Sequence, residues 1–183
     1  ALRLDYRELF PERERFRVVG NLPYNISTPL LFHLLHFADR IEDMTFMLQE
    51  EVVDRICSEP GTKTWGRLSV MVRYHCRVER LFAIPPTAFT PRPQVRSRLL
   101  RLTPWRRRPC EARSEKALRR VVQVAFGQRR KTLRNALKSL PDGLEPRVDL
   151  DWQQRPERLD VETFVRLADA LVDVQEAEGG APS

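Results

Sequence analysis

The tetrapeptide Asn21-Leu22-Pro23-Tyr24 combines residue types that can act on a flat ring carrying an amino group. It follows residues 16–20, "FRVVG", whose apolar run predicts a short buried strand. Ligands of α/β sheets bind where strands end, so the Asn21 amide oxygen and the carbonyl of the Leu22-Pro23 turn can point into one pocket. Tyr24 offers an aromatic face for a base to stack on, worth about 1–3 kcal/mol.

Two acceptors at this separation suit an exocyclic NH₂ group, such as N6 of adenine. That nitrogen is a poor nucleophile because its lone pair is delocalised into the ring. Accepting both hydrogens favours a pyramidal nitrogen, and the two dipoles stabilise the positive charge that develops on it. No strong general base is needed, since the alkylated nitrogen becomes acidic. The alternative is that Asn21 and Pro23 only end a strand in a turn, where both residue types are common.

Charge and cysteine content limit the class of protein. The chain has 183 residues, a formal net charge of +7 and a pI near 9.9, which favours a polyanionic partner, most often nucleic acid. A basic surface without such a partner is the alternative. Three cysteines without metal spacing indicate reduced thiols in a cytoplasmic protein. No stretch is long and apolar enough to predict a membrane span, and no signal peptide is predicted. No metal site is predicted either, because His33 and His36 lack a nearby Cys or acidic partner.

Strands and helices alternate over the first hundred residues. The predicted strands are 16–20, 44–49, 78–84 and 94–104, and the predicted helices are one capped by Ser27, 50–59 and 66–76. This alternation predicts an α/β sheet with crossover connections. The last two strands are joined by a proline-rich loop, "PPTAFTPRP".

Beyond a basic linker at 104–113 the pattern predicts only helices. The first starts at Ser114, the second carries Leu133, Leu137 and Leu140, and the third is capped by Asp160. We therefore predict an α/β part over residues 1–104, a small all-helical domain over 105–175, and a disordered tail over 176–183.

The second C-terminal helix is predicted to carry a basic stripe. Arg130, Arg134 and Lys138 recur every four residues, and Lys131 lies beside them. Such a stripe opposite an apolar face fits phosphate contacts along RNA. The alternative is an ordinary solvated face of the helix.

The strand at 16–20 is apolar enough for the interior of a sheet, but only fifteen residues, mostly polar, precede it. Those residues cannot cover a sheet edge well, and the chain has no glycine loop for a nucleotide cofactor. These observations predict that the chain is the C-terminal part of a longer protein, whose remaining part supplies the neighbouring strands.

The segment "NLPYNIS" resembles the catalytic motif of the ribosomal RNA adenine N6,N6-dimethyltransferases. "FMLQEEVVDRI", "GRLSVM", "AFTPRPQVRSRLLRL" and "AFGQRRKTLRNAL" also resemble family segments, in family order, from about residue 16 to 172. The resemblance implies the C-terminal part of a Rossmann-like methyltransferase domain followed by a helical RNA-binding domain. It also implies an enzyme that uses S-adenosylmethionine to dimethylate two adjacent adenosines near the 3′ end of small-subunit ribosomal RNA, with a role in ribosome biogenesis.

By this resemblance Asn21, Leu22 and Pro23 hold the target N6, Tyr24 stacks on the base, and Phe89 forms a second aromatic wall. The base must be extruded to reach the methyl donor. The resemblance also places Asn21 beside the cofactor, as the one cofactor-binding residue it implies in this chain. The family's other cofactor motifs would precede Ala1, so the chain alone is expected to be inactive. The implied RNA-binding residues form one basic group: Arg129, Arg130, Lys131, Arg134 and Lys138.

The expected partner is the small ribosomal subunit, bound by a monomer. Gln94 and Trp65 depart from the residues common in the family. One alternative is a non-catalytic RNA-binding assembly or transcription factor on the same fold, against which the intact tetrapeptide and Phe89 argue. Another is a DNA adenine N6-methyltransferase, against which the "QRRKTLRN" segment and the lack of a sequence-reading domain argue.

Overall fold

A computed structural model of the chain describes residues 5–9, 15–23, 25–128 and 130–179. The chain divides into two compact units. One comprises Ala1–Ser58 and Val72–Arg108, and the other comprises Glu59–Met71 and Pro109–Ser183. Sequence analysis had assigned all of residues 1–104 to the first part, so the grouping of 59–71 with the helical unit was not anticipated.

The first unit contains a four-stranded mixed sheet. Its strands lie in the order β1-β2-β4-β3 and are β1 (Phe16–Asn21), β2 (Ile41–Gln49), β3 (Cys76–Ile84) and β4 (Ser97–Pro104). β1 pairs with β2 in parallel, whereas β4 runs antiparallel to both β2 and β3. Phe46, Leu100 and Leu102 on the two central strands are fully buried. The predicted α/β class is confirmed, with a sheet that is mixed.

The helices of this unit are α1 (Tyr6–Leu9), α2 (Ser27–Leu35) and α3 (Glu50–Cys57), and α4 (Arg67–His75) is divided between the two units at Met71. The predicted Ser27 cap is wrong, because Ser27 is the first helical residue and the Leu30 N–H donates to the Ile26 carbonyl at 2.9 Å. β4 begins three residues later than predicted, at Ser97, where its pairing with Gln49 of β2 and Ile84 of β3 starts. No helix in the described part of the chain is both long enough and apolar enough to cross a membrane.

The second unit is helical, as expected. It contains α5 (Glu115–Ala125), the short α6 (Leu133–Ala136) and α7 (Val161–Gly179). Ser114 Oγ accepts the Ala117 N–H at 3.2 Å, and Asp160 Oδ1 accepts the Thr163 N–H at 2.8 Å, so both predicted helix starts are confirmed. Because α7 continues to Gly179, the predicted tail is wrong for 176–179, and 180–183 lie outside the described residues.

The core of the second unit lies between α5 and α7. Its fully buried side chains include Leu118, Val121, Phe164 and Leu171, which recur at helical spacing on the two helices. The segment 59–71 joins this unit through backbone acceptors on 157–159. Gly61 N–H donates to the Glu157 carbonyl at 2.7 Å, and Trp65 Nε1 donates to the Leu159 carbonyl at 2.9 Å.

Single 3₁₀ turns complete the connections in both units. They are Ala38–Arg40, Pro86–Ala88, Leu137–Ser139, Glu145–Arg147 and Pro156–Arg158. Two of them adjoin or carry predicted site residues, because Pro86–Ala88 precedes Phe89 and Leu137–Ser139 carries Lys138.

The cap of α7 gives a test of the helical unit. We expect Asp160→Ala to lower the free energy of unfolding by about 1 kcal/mol, since the Thr163 N–H loses its acceptor. Asp160→Asn is the matched control and should keep most of the stability, because Asn also caps helices. Urea unfolding followed by circular dichroism measures the difference. Equal stability of the Ala and Asn variants would contradict the capping role.

Candidate functional site

A small pocket opens where β1 and β2 end. Its volume is about 260 Å³, near the lower end of the roughly 300–1,000 Å³ of ligand sites, which suits one planar base. Eight described residues line it: Asn21, Leu22, Pro23, Met47, Phe89, Pro91, Pro93 and Ser97. The structure therefore brings together four of the five residues that the sequence assigned to catalysis. The fifth, Tyr24, lies outside the described residues.

The floor of the pocket is the end of the parallel β1–β2 pair. Asn21 is opposite Met47, and the Leu22 N–H donates to the Met47 carbonyl at 3.2 Å, which extends the ladder by one residue. The chain then turns, and the Pro23 carbonyl accepts the Ile26 N–H at 3.2 Å. Asn21 and Pro23 are exposed, whereas Leu22 is buried. The turn thus leaves the Asn21 amide open to a ligand.

Gly20 gives Leu22 the room for this turn. A Cβ added at Gly20 would lie 3.3 Å from Leu22 Cδ2, closer than ordinary van der Waals contact. A side chain at residue 20 would therefore press on the residue that shapes the pocket floor.

The opposite wall comes from the proline-rich loop between β3 and β4. The Pro86–Ala88 turn is closed by the Ala88 N–H, which donates to the Pro85 carbonyl at 3.0 Å, and it delivers a half-buried Phe89 to the pocket. Met47, Pro91, Pro93 and Ser97 were not predicted as pocket residues. The antiparallel pairing of β2 with β4, in which Gln49 is opposite Ser97, brings them to the pocket. The register of that pairing could not be predicted from the sequence.

The pocket offers two hydrogen-bond acceptors between apolar walls. One of the Pro23 carbonyl's two lone pairs accepts a hydrogen bond within the turn, and the Leu22 carbonyl is the backbone acceptor next to Asn21 in the sequence. None of the eight described lining residues has a carboxylate or a thiol, so these residues offer no strong base and no thiolate nucleophile. Such a site can bind and orient an amino group.

The cysteines are poorly suited to nucleophilic chemistry. All three are free, and burial raises the pKa of Cys57, Cys76 and Cys110 above the usual 9.0, reaching about 12 for Cys76. Each is therefore a neutral thiol near pH 7. Among the described residues no group of three His, Cys, Asp or Glu side chains could hold a metal ion. His33 instead packs edge-on against Phe37, with ring centroids 5.2 Å apart.

The predicted basic residues lie around α6, but not on one continuous helix. Arg130 and Lys131 are exposed and precede the helix, Arg134 lies on it, and Lys138 lies on the 3₁₀ turn that follows. Arg129 is outside the described residues. The predicted stripe, with a basic residue at every fourth position of one helix, is wrong. α6 is a single helical turn, so it cannot place residues 130 and 138 on one helix face.

Two of these basic side chains are close to an acidic group. Arg134 forms a two-pronged pair with Glu145, Nε to Oε1 at 2.7 Å and Nη2 to Oε2 at 2.8 Å. Arg134 and Lys138 line one cavity of about 300 Å³ together with Trp152 and Glu145. No local pattern predicts the Arg134–Glu145 pair, since the two residues are eleven positions apart.

Backbone acceptors occupy the start of α6. The Leu133 N–H donates to the Gln154 carbonyl at 2.8 Å, and the Arg134 N–H donates to the Trp152 carbonyl at 3.1 Å. These amides are therefore not available to a phosphate. Any anion at this surface must be held by the exposed side chains.

The fold is shared with RNA methyltransferases of known structure. A dimethyladenosine transferase from Plasmodium falciparum superposes with a TM-score of 0.69 at 22% identity, over 82% of this chain and 64% of that one. The 23S rRNA methyltransferase ErmE superposes with a TM-score of 0.64 at 22% identity, over 92% of this chain and 70% of that one. At this identity the likeness concerns the fold alone.

Sequence similarity places the chain in a family. The family described as "Ribosomal RNA adenine dimethylase" matches residues 2–169. The "Ribosomal RNA small subunit methyltransferase A" of Pseudomonas aeruginosa is 56% identical over 95% of this chain, and that of Acinetobacter baylyi is 53% identical over 94%. The chain belongs to the ribosomal RNA adenine dimethylase family. It spans 65% and 63% of the lengths of these two curated relatives.

Proposed function

We propose that the chain is the part of an S-adenosylmethionine-dependent enzyme that binds the target adenine. The enzyme transfers methyl groups to N6 of two adjacent adenosines near the 3′ end of small-subunit ribosomal RNA, giving N6,N6-dimethyladenosine. The observation that carries the proposal is the convergence of Asn21, Leu22, Pro23 and Phe89 on one base-sized pocket in a member of this family. The partner is the small ribosomal subunit, bound in the cytoplasm by a monomer.

Each lining residue has a role in this proposal. The Asn21 amide oxygen and the Leu22 carbonyl accept the two N6 hydrogens, which localises the lone pair on nitrogen and stabilises its developing charge. Phe89 stacks on the extruded base, and Pro91 and Pro93 exclude water from its face. Tyr24 would supply the second stacking surface. The proton leaves for water after transfer, because none of the described lining residues has a carboxylate.

S-adenosylmethionine, when bound, supplies the methyl group. Asn21 fits the methyl-bearing end of this cofactor, because its amide is exposed at the carboxyl end of β1. None of the described lining residues offers a carboxylate for ribose hydroxyls, so we assign no residue of this pocket to the nucleoside.

Methyl transfer by the complete product of the gene tests the function. With radiolabelled S-adenosylmethionine and undermethylated small subunits, we expect dimethyladenosine at adjacent positions, mapped by RNA mass spectrometry. Asn21→Ala should lower kcat/KM by about 100-fold or more, since one acceptor of the developing charge is lost. Gln123→Ala removes an exposed amide on α5, outside the pocket lining, and should leave the rate unchanged.

Other outcomes of this experiment distinguish the alternatives. Tight binding of the particle without methyl incorporation would indicate a non-catalytic assembly factor. Incorporation into DNA rather than ribosomal RNA would indicate a DNA adenine methyltransferase. Full activity of Asn21→Ala would remove Asn21 from the catalytic site.

The salt dependence of particle binding tests the basic residues around α6. Arg130→Gln and Lys131→Gln should each flatten the slope of log affinity against log salt by about one unit, because each exposed cation releases one counterion. Arg134→Gln should change the slope less, since Glu145 already neutralises that charge. Glu145→Gln is the matched control and should strengthen binding at low salt. An unchanged slope in the Arg130→Gln/Lys131→Gln double variant would remove this surface from the interface.

A further inference from the structure

The wall of the pocket that carries Phe89 is a long loop between β3 and β4. The chain leaves β3 at Ile84 and returns to β4 at Ser97, and these two residues are paired. Prolines at positions within this loop lack the N–H groups that would tie it to a ladder. Its placement over Asn21 therefore depends on what holds its return point at residues 96–98.

Glu50 contacts that return point with both its backbone and its side chain. It is the first residue of α3 and directly follows β2, and its N–H donates to the Arg96 carbonyl at 2.9 Å. Its carboxylate accepts from Arg98, with Oε1 at 2.5 Å from Nη2 and 3.2 Å from Nε. Oε2 lies 3.9 Å from Arg96 Nε. One residue thus contacts both neighbours of Ser97.

The alternation of a strand explains why this contact bears on the pocket. Ser97 is buried and lines the pocket, whereas the side chains of Arg96 and Arg98 pair with Glu50. Arg98 Nη1 also donates to the Leu81 carbonyl at 3.3 Å. Leu81 lies where the pairing of β3 with β4 is irregular, and its carbonyl accepts this hydrogen bond from the Arg98 guanidinium. Arg98 therefore connects the start of β4 and the irregular stretch of β3 to the start of α3.

The pair is more sheltered than the surface ion pairs of the same unit. The side chains of Arg98 and Glu50 are 21% and 25% exposed, compared with 64% and 49% for Arg17 and Glu42. The hydrogen bond from Arg98 lowers the pKa of Glu50, so the carboxylate is ionised at neutral pH. Arg98 Nε and Nη2 both donate to Oε1, and a sheltered charge pair of this kind is screened less by salt than an exposed one.

We propose that the Glu50–Arg98 ion pair positions the Phe89 wall against Asn21 and Leu22, and so sets the accuracy with which the adenine amino group is presented. Both are positioning residues, since neither lines the pocket. The inference rests on the proposed function for the nature of the ligand, but the placement of the wall can be measured without it.

The experiment compares Glu50→Gln and Arg98→Gln with Glu42→Gln in the complete gene product. Glu42 is the matched control, because it also pairs with an arginine but lies at the start of β2, about 20 Å of strand from the pocket. We expect Glu50→Gln and Arg98→Gln to lower kcat roughly 10- to 100-fold at unchanged KM for S-adenosylmethionine, the loss typical of a misplaced reacting group. The exchanged pair Glu50→Arg/Arg98→Glu should recover part of that loss.

Amide hydrogen exchange of the loop is measured in the same variants. Residues 87–96 should exchange faster in Glu50→Gln than in the wild type or Glu42→Gln, with β2 and β4 unchanged. Wild-type kcat and loop exchange in Glu50→Gln would overturn the inference. So would an equal kcat loss in Glu42→Gln, or a loss without rescue by the exchanged pair, which would indicate general destabilisation. An inactive wild type would contradict the proposed function, and loop exchange would still decide whether the pair positions the wall.

Discussion

The parallel pairing of β1 with β2 is the constraint on which the pocket depends. It places Asn21 opposite Met47 at the end of both strands, and the hydrogen bond from the Leu22 N–H to the Met47 carbonyl holds the first residue of the turn. A register shift of one residue would turn these side chains to the other face of the sheet. The apolar residues that bury β2, with Phe46 fully buried, therefore also fix where the acceptors lie.

The antiparallel strand β4 adds the second wall to this frame. It pairs antiparallel with β2 on one side and with β3 on the other, so it begins beside the end of β2, and the loop that enters it contributes Phe89, Pro91 and Pro93 to the pocket. A base in the pocket would thus lie between a rigid strand end and a loop whose position rests on a few polar contacts. A reaction that needs its groups oriented, and needs no strong base, suits such a site because the positioning of the reacting groups supplies much of the rate enhancement.

The sequence predicted those features that depend on local pattern. The β1 strand, the Asp160 cap and the proline-rich loop follow from residue types and spacing, whereas the place of Phe89 beside the site was implied by the family resemblance. Features set by distant partners could not be predicted. The first amides of α6 donate to the carbonyls of 152 and 154, and Arg134 is paired because folding brings Glu145 to it. These partners are distant in the sequence, so no local pattern indicates them.

The most direct test of the account is a structure of the complete gene product on an undermethylated small subunit, with a non-transferable analogue of S-adenosylmethionine. The account predicts one adenosine extruded into this pocket, with N6 within about 3.2 Å of Asn21 Oδ1 and of the Leu22 carbonyl, and its ring against Phe89. A particle-bound structure in which the target adenosines stay stacked, or in which N6 is held by other residues, would contradict it.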